Sequence, residues 1–302
     1  MSADQHTLWQ TATPKTDRSF TLRPYQEDSV VSIYNEWDVL NVDATLLVQA
    51  TGLGKTISFA EVIRQWDASR GRILVMAHRD ELIFQAVNKI ADHTGERPQI
   101  EMAKFRASSE VWMSESNVIV TTVQTMSKPR RMQRFRPEEF GLLIIDEAHH
   151  TPAASYRRVI EYFSQDGLKV LGVTATPHRK DKKAMGAIFE SCASEMNILD
   201  GIEEGWLCDI DQKYVVVEGL DFSSVRTTAG DLNERDLAEL LGGAISDEEE
   251  EAVRKQEAMI HKIVGPTIEE ADGRPTLVFA VTKEHARRLT EVFNRHDGVT
   301  AA

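Results

Sequence analysis

Residues 45–66 constrain the fold more than any other stretch of this sequence. A short apolar run, Thr45–Val48, leads into Gln49-Ala50-Thr51-Gly52-Leu53-Gly54-Lys55-Thr56, and an amphipathic segment follows from Ile57 to Trp66. The pattern predicts a buried strand, a tight turn with two glycines, and a helix that opens on Lys55 and Thr56. Glycines let backbone N–H groups curl around an anion without side-chain obstruction, and the helix N-terminus adds a favourable dipole. Lys55 can reach the β- and γ-phosphates of a nucleotide, and the Thr56 hydroxyl can ligate Mg²⁺. The stretch departs from G-x-x-x-x-G-K-[ST] at one position, where Gln49 replaces the first glycine. A glycine turn that merely caps a helix is the simpler alternative, and the G-K-T directly after a strand favours phosphate.

The remaining chain repeats this strand–helix alternation. Pro24 suits the first turn of a helix running to about Trp37. Strands are predicted at Arg72–Ala77, Asn117–Thr121, Gly141–Ile145 and Leu168–Val173, with helices at 55–68, 79–91 and from about Ala153 to Phe163. Short apolar runs between amphipathic helices indicate an α/β fold, a parallel sheet covered by helices on both faces. Ligands of such sheets sit at the carboxyl ends of the strands. Beyond Gly201, Asp209–Val217 reads as a strand, Asn233–Leu241 as a helix, and Pro275–Ala280 as a buried strand followed by helix Lys283–Phe293. Ser246 and Glu249 form a capping-box pattern that opens a long acidic helix.

Composition narrows the class. Of 302 residues, 41% are hydrophobic and 27% charged, as in a soluble globular protein. Cys192 and Cys208 offer neither a disulfide framework nor a metal set, which fits a reducing, cytoplasmic setting. No signal peptide is visible, and no apolar run approaches the roughly 20 residues of a membrane span. The net charge of −13 argues against binding a polyanion by bulk electrostatics. Residues 201–302 hold 11 Lys+Arg against 22 Asp+Glu, whereas the first 200 hold 24 against 26. A polyanion groove must therefore be local.

Two further strand ends carry chemistry. Leu142–Ile145 ends in Asp146-Glu147-Ala148-His149, and carboxylates placed there are costly without a compensating cation. Beside Lys55 and Thr56 the economical explanation is a Mg²⁺–nucleotide site, with Asp146 holding the metal and Glu147 polarising the attacking water. Gly172-Val173-Thr174-Ala175-Thr176-Pro177 ends the next strand with two hydroxyls. Thr174 and Thr176 could link the γ-phosphate state to a neighbouring segment, with His149 joining that relay, while His150 reads as a surface histidine.

Together, Gln26, residues 50–56, Asp146–His149 and Thr174–Thr176 resemble superfamily 2 helicases of the DEAH-box type. Ala77-His78-Arg79-Asp80-Glu81-Leu82 and Thr121-Thr122-Val123-Gln124-Thr125 add to the likeness, and Thr276–Ala280 resembles the first motif of a second RecA-like domain, so that the resemblance covers roughly residues 20–300. The form A-H-R-x-E-L is most similar to XPB-like translocases and the motor subunits of type I and III restriction enzymes. The resemblance implies a RecA-like, P-loop NTPase domain and an ATP hydrolase that needs ATP and Mg²⁺. It implies that Arg23 and Gln26 read the adenine, that Thr51, Gly52, Leu53, Gly54, Lys55 and Thr56 wrap the phosphates, and that Glu147 is the general base. Arg79, Thr122 and Gln124 would lie along a nucleic-acid backbone, with DNA favoured over RNA.

On this reading residues 1–18 form a loose tail, 19–205 the ATP-binding domain, and 206–302 a linker with the start of a second RecA-like domain. The later motifs of that domain are expected from a separate chain or a missing C-terminal region. The 302 residues alone are expected to bind Mg²⁺–ATP but to hydrolyse it poorly. Alternatives are a fragment of a split motor acting as a binding module, or an RNA helicase. The basic runs Lys128–Arg136 and His178–Lys183 suit either a nucleic-acid-facing loop or a solubilising surface. The five tryptophans, being dispersed, read as packing residues.

Overall fold

The computed structural model describes residues 21–109, 116–175, 185–214, 221–228, 231–241 and 250–302. Chain contacts cluster into two compact units, residues 1–209 and 210–302. In the first, helix α1 (Pro24–Asp38) precedes β1 (Ala44–Gln49) and α2 (Lys55–Gln65). Next come β2 (Arg72–Ala77), α3 (Asp80–Thr94), the short β3 (Gln99–Glu101), β4 (Val118–Thr122), and two single-turn helices, α4 (Val123–Met126) and α5 (Pro129–Met132). Then follow β5 (Phe140–Asp146), α6 (Ala154–Phe163), β6 (Lys169–Thr174), β7 (Ser191–Met196) and α7 (Ile198–Glu203).

The seven strands form one sheet in the order β3-β4-β2-β5-β6-β1-β7, and every pairing is parallel. Alternate side chains divide between two cores, as the two-residue period of a strand requires. Ile73 and Val75 of β2 and Leu142 and Ile144 of β5 pack with Ile33, Trp37, Phe59, Val62, Val87 and Ile90 of α1–α3. Leu74 and Met76, with Leu143 and Ile145, pack on the opposite face with Met126, Met132, Tyr156, Val159 and Phe163. Burial on both faces explains why these strands read as continuous apolar runs. Glycine is required at Gly172 by close approach, since a Cβ there would lie 2.4 Å from the Phe189 ring.

The second unit contains a two-residue antiparallel pairing of β8 (Thr227–Thr228) with β9 (Asp231–Leu232), then α8 (Glu234–Leu240), α9 (Glu250–Ala271) and α10 (Lys283–Phe293). Ile260 and Val264 of α9 pack on Leu289, Val292 and Phe293 of α10. Thr282 caps α10 by accepting from the His285 N–H at 3.1 Å.

Several sequence expectations need correction. Pro275–Ala280 is not a buried strand: Leu277 is 79% and Phe279 89% exposed, and the segment is irregular. A strand needs a neighbour to satisfy its N–H and C=O groups, and no described strand of this unit pairs with it. Residues 209–214 are likewise irregular and exposed. Strands β3 and β7 were not anticipated. One has three residues, and the other is a polar edge strand, Ser191-Cys192-Ala193-Ser194-Glu195-Met196. The N-terminal tail, residues 215–217 of the expected strand, the Ser246–Glu249 cap, Thr176, His178–Lys183, Trp9 and Trp112 lie outside the described residues. Trp37 and Trp66 are buried as expected. No described helix is long and apolar enough to cross a membrane.

Candidate functional site

The turn after β1 is held from beneath. Gly52 and Gly54 take φ values of 94° and 82°, the left-handed region that favours glycine. Between them Leu53 is wholly buried with Ala50 and Met196, against Tyr25, Trp206 and Leu207. Leu53 therefore anchors the turn. Its N–H donates to Ala50 O at 3.1 Å, and its carbonyl accepts from Tyr25 Oη at 2.7 Å and Gln26 Nε2 at 3.0 Å. Thr51 and Gly52 are exposed, while Gly54, Lys55 and Thr56 are half-buried at the mouth of α2.

Gln49 has a structural role that its departure from the glycine pattern did not announce. Its side chain is fully buried; Oε1 accepts from Ser58 Oγ at 2.9 Å, and Nε2 donates to Ser29 Oγ at 3.2 Å. Ser29 Oγ also lies 2.9 Å from Ser194 Oγ. One amide thus joins β1 to α1, α2 and β7 beneath the turn.

Arg23 and Gln26 stand at the start of α1. Gln26 is buried, with Oε1 accepting from the Arg23 N–H at 3.0 Å. The Arg23 guanidinium donates to Tyr25 Oη at 3.1 Å and lies 5.3 Å from the Trp206 ring. These contacts fix α1 against the turn and leave the half-buried Arg23 at its rim.

Sheet register brings the other strand ends level with the turn. Val48 pairs with Thr174, and Asp146 with Val173, across the adjacent strands β1, β6 and β5. With strands about 4.8 Å apart, the three ends fall within about 10 Å. Burial and then the neighbouring Glu147 charge push the Asp146 carboxyl up to about 6, against the attraction of Lys55 and Lys89. Glu147 adopts φ 54°, a strained conformation for a non-glycine residue, and its N–H donates to Asp146 Oδ1 at 3.0 Å. The pair fits a Mg²⁺ ion: a hard carboxylate from Asp146 and a hydroxyl from Thr56 are the few oxygen donors such an ion takes from protein, and the buried carboxyl is short of positive charge.

His149 Nδ1 lies 3.0 Å from Thr174 Oγ1 and 3.4 Å from Glu147 Oε2, so the structure joins His149 and Thr174. His150 is not a simple surface residue. Its ring stacks on His78 with centroids 3.9 Å apart and an interplanar angle of 20°, and lies 4.1 Å from His149. His78 in turn lies 3.1 Å from Tyr156 Oη, and its carbonyl accepts from Gln124 Nε2 at 3.0 Å. Burial, then the nearby His150 and Arg79 charges, hold the His78 imidazole below its usual pKa. A row of three histidines therefore spans from the end of β2 to the end of β5. The sequence signal was the adjacency of His149 and His150, but nothing local revealed that His78 would meet them.

At the β2 and β4 ends, Arg79 and Gln124 are exposed. Thr122 is not: it is wholly buried, and its hydroxyl caps α4 by accepting from the Thr125 N–H at 3.2 Å. Its expected contact with a nucleic-acid backbone is corrected accordingly. A local threonine cap uses the side chain that the motif reading had placed on the surface.

These features define a parallel α/β domain with a glycine turn and a row of polar and titratable residues along the carboxyl edge of its sheet. Residues 19–179 match the family described as "Type III restriction enzyme, res subunit", and the chain belongs to that family. It is a superfamily 2 helicase chain of the XPB and restriction-motor type, with a RecA-like fold. IRC3 of Saccharomyces cerevisiae, which carries the name of an ATP-dependent helicase, is 31% identical over 90% of this chain and 39% of its own length. The helicase/translocase subunit XPB of general transcription and DNA repair factor IIH from Schizosaccharomyces pombe is 27% identical over 65% of this chain and 23% of its own. The helicase domain of Pyrococcus furiosus Hef has the same fold at a TM-score of 0.51, with 19% identity over 90% of this chain and 52% of that one. The chain spans about two-fifths of the length of the curated relatives it matches along most of its own.

Proposed function

We propose that this chain is the ATP-hydrolysing motor portion of a DNA helicase or translocase. The observation that carries the reading is the level alignment, at the ends of β1, β5 and β6, of the Gly52–Thr56 turn, Asp146-Glu147 and the His149–Thr174 bond. Lys55 and the turn's N–H groups hold the β- and γ-phosphates, and Arg23 and Gln26 face the adenine. Thr56 and Asp146 supply oxygens to Mg²⁺, which when bound neutralises charge on the phosphate oxygens. Glu147 takes a proton from the water that attacks the γ-phosphorus as the bond to the ADP oxygen breaks. Arg79 and Gln124 hold the strand by its backbone, so binding is insensitive to sequence. His149 and Thr174, with Thr176 two residues on, connect the two sites.

A steady-state ATPase assay of the chain with and without DNA tests this reading: Mg²⁺-dependent turnover that Glu147→Gln abolishes supports it, and turnover unchanged in that variant overturns it. Competition between DNA and RNA at fixed salt, with a non-hydrolysable ATP analogue present, tests the choice of nucleic acid.

A further inference from the structure

The basic run Lys128–Arg136 divides into two roles. Glu101, at the end of edge strand β3, is wholly buried. Its carboxylate accepts from Arg131 in a very short hydrogen bond, from Arg134 at 2.6 Å, and from the Ala107 N–H at 2.9 Å. Arg131 also donates to Ala103 O at 2.5 Å, and Arg134 to Ala107 O at 3.0 Å. These two arginines clamp α5 onto the 101–107 loop. A buried carboxylate is tolerated only with such complete pairing, so the clamp is a rigid frame.

Three cations stand exposed on that frame, Arg106, Lys128 and Arg130. Arg106 lies 3.9 Å from Glu101 Oε1 and donates to Ala103 O at 2.8 Å, while Lys128 and Arg130 have no ion-pair partner among the described residues. With Arg131, Arg134 and Pro129 they line an open groove of about 610 Å³. Five cations thus surround one carboxylate in a chain whose net charge is −13. The groove lies at the ends of β3 and β4, and Lys128 follows Gln124 by four residues. In sheet order it stands outside Arg79 and Gln124, on the side away from the nucleotide turn.

We propose that this groove is a nucleic-acid subsite: Arg106, Lys128 and Arg130 bind successive phosphodiesters of the strand after it leaves Gln124. The proposal rests on the reading that nucleic acid runs over Arg79 and Gln124. Exposed cations on a fixed frame recognise backbone charge and carry no base specificity. Glu101 is a positioning residue, setting the frame without touching the ligand.

The test is fluorescence anisotropy of labelled oligo(dT) with the full 302-residue chain and a non-hydrolysable ATP analogue. The Arg106→Ala, Lys128→Ala, Arg130→Ala triple variant is compared with the parent and with an Arg79→Ala, Gln124→Ala variant. Each lost phosphate contact lowers the slope of log K against log salt by about 0.7 for single strands, so the triple variant should lose about 2. Its affinity should fall about tenfold or more near 50 mM salt, with analogue affinity unchanged and a cooperative thermal transition retained, because Glu101 keeps its Arg131 and Arg134 hydrogen bonds. An unchanged slope in the triple variant, with weakened binding in the Arg79/Gln124 variant, overturns the groove alone. Failure of the parent to bind oligo(dT) overturns the parent reading and the groove with it. Polyglutamate that displaces oligo(dT) from the parent but not from the triple variant reassigns the groove to acidic polypeptide and also overturns the proposal.

Discussion

Glu61 offers a quantitative test of how helix α2, which follows the glycine turn, is secured. It lies in α2 two turns after Lys55, and its carboxylate is 4% exposed. Burial alone would raise its pKa. Hydrogen bonds from Arg64 at 2.7 and 2.5 Å, Gln65 at 2.7 Å and His93 of α3 at 2.7 Å outweigh that and lower it from 4.5 to about 2. At about 1.4 kcal/mol per unit, the charge contributes about 3 kcal/mol to folding. Because the folded pKa is depressed, this stability is present above the unfolded value and is lost as pH falls toward the folded one. Glu61→Gln keeps the shape and part of the hydrogen bonding, so it should cost about 2–3 kcal/mol at neutral pH. For a domain of this size that is a melting-temperature decrease of about 5–10 °C. Calorimetry or thermal circular dichroism across pH would measure it. The gap between parent and variant should narrow steadily below about pH 4.5. An equal melting temperature at neutral pH, or a gap that persists undiminished near pH 3, refutes the argument.

Restoring the missing glycine should harm the fold: Gln49→Gly removes the amide between Ser58 and Ser29, leaving buried hydroxyls unpaired, at about 2 kcal/mol or more in urea denaturation. Asp146→Asn should raise the stability of the nucleotide-free chain by about 1–2 kcal/mol while abolishing Mg²⁺-dependent nucleotide binding. The sign follows from a carboxyl raised to about 6, whose ionisation costs stability as pH rises above its unfolded value, and a less stable variant at neutral pH contradicts it. His150→Ala removes the stack between His78 and His149 and should erase most of any nucleotide-dependent change in nucleic-acid affinity, a coupling typically of about 1–3 kcal/mol. Equal coupling in parent and variant, measured by anisotropy with and without analogue, excludes the histidine row from that role.

What was legible in the sequence was whatever local pattern decides. Arg72–Ala77 and Lys283–Phe293 run over their expected bounds because apolar period and capping agree there. The acids of Asp146-Glu147 and the Gly52–Thr56 turn were legible because glycine and charge at strand ends have few other uses. Illegible were features made by distant partners. Ser191–Met196 looks polar because it is an edge strand, and its partner β1 lies over 140 residues earlier. Pro275–Ala280 has strand composition, but composition does not supply the neighbour that a strand needs. Thr122 illustrates the opposite failure, where a short-range cap captured a side chain that the motif had assigned outward. The Glu101 clamp lies between: the arginine run was visible, yet only the fold shows that Arg131 and Arg134 hydrogen-bond Glu101 while Lys128 and Arg130 stand exposed.

Lys55, Thr56 and Asp146 are the groups proposed to hold a Mg²⁺–nucleotide. Titration calorimetry with a non-hydrolysable ATP analogue, in Mg²⁺ and in chelator, measures this most directly. One Mg²⁺-dependent site is expected in the parent, and no detectable binding by a folded Lys55→Ala variant. Unchanged affinity in Lys55→Ala would contradict it.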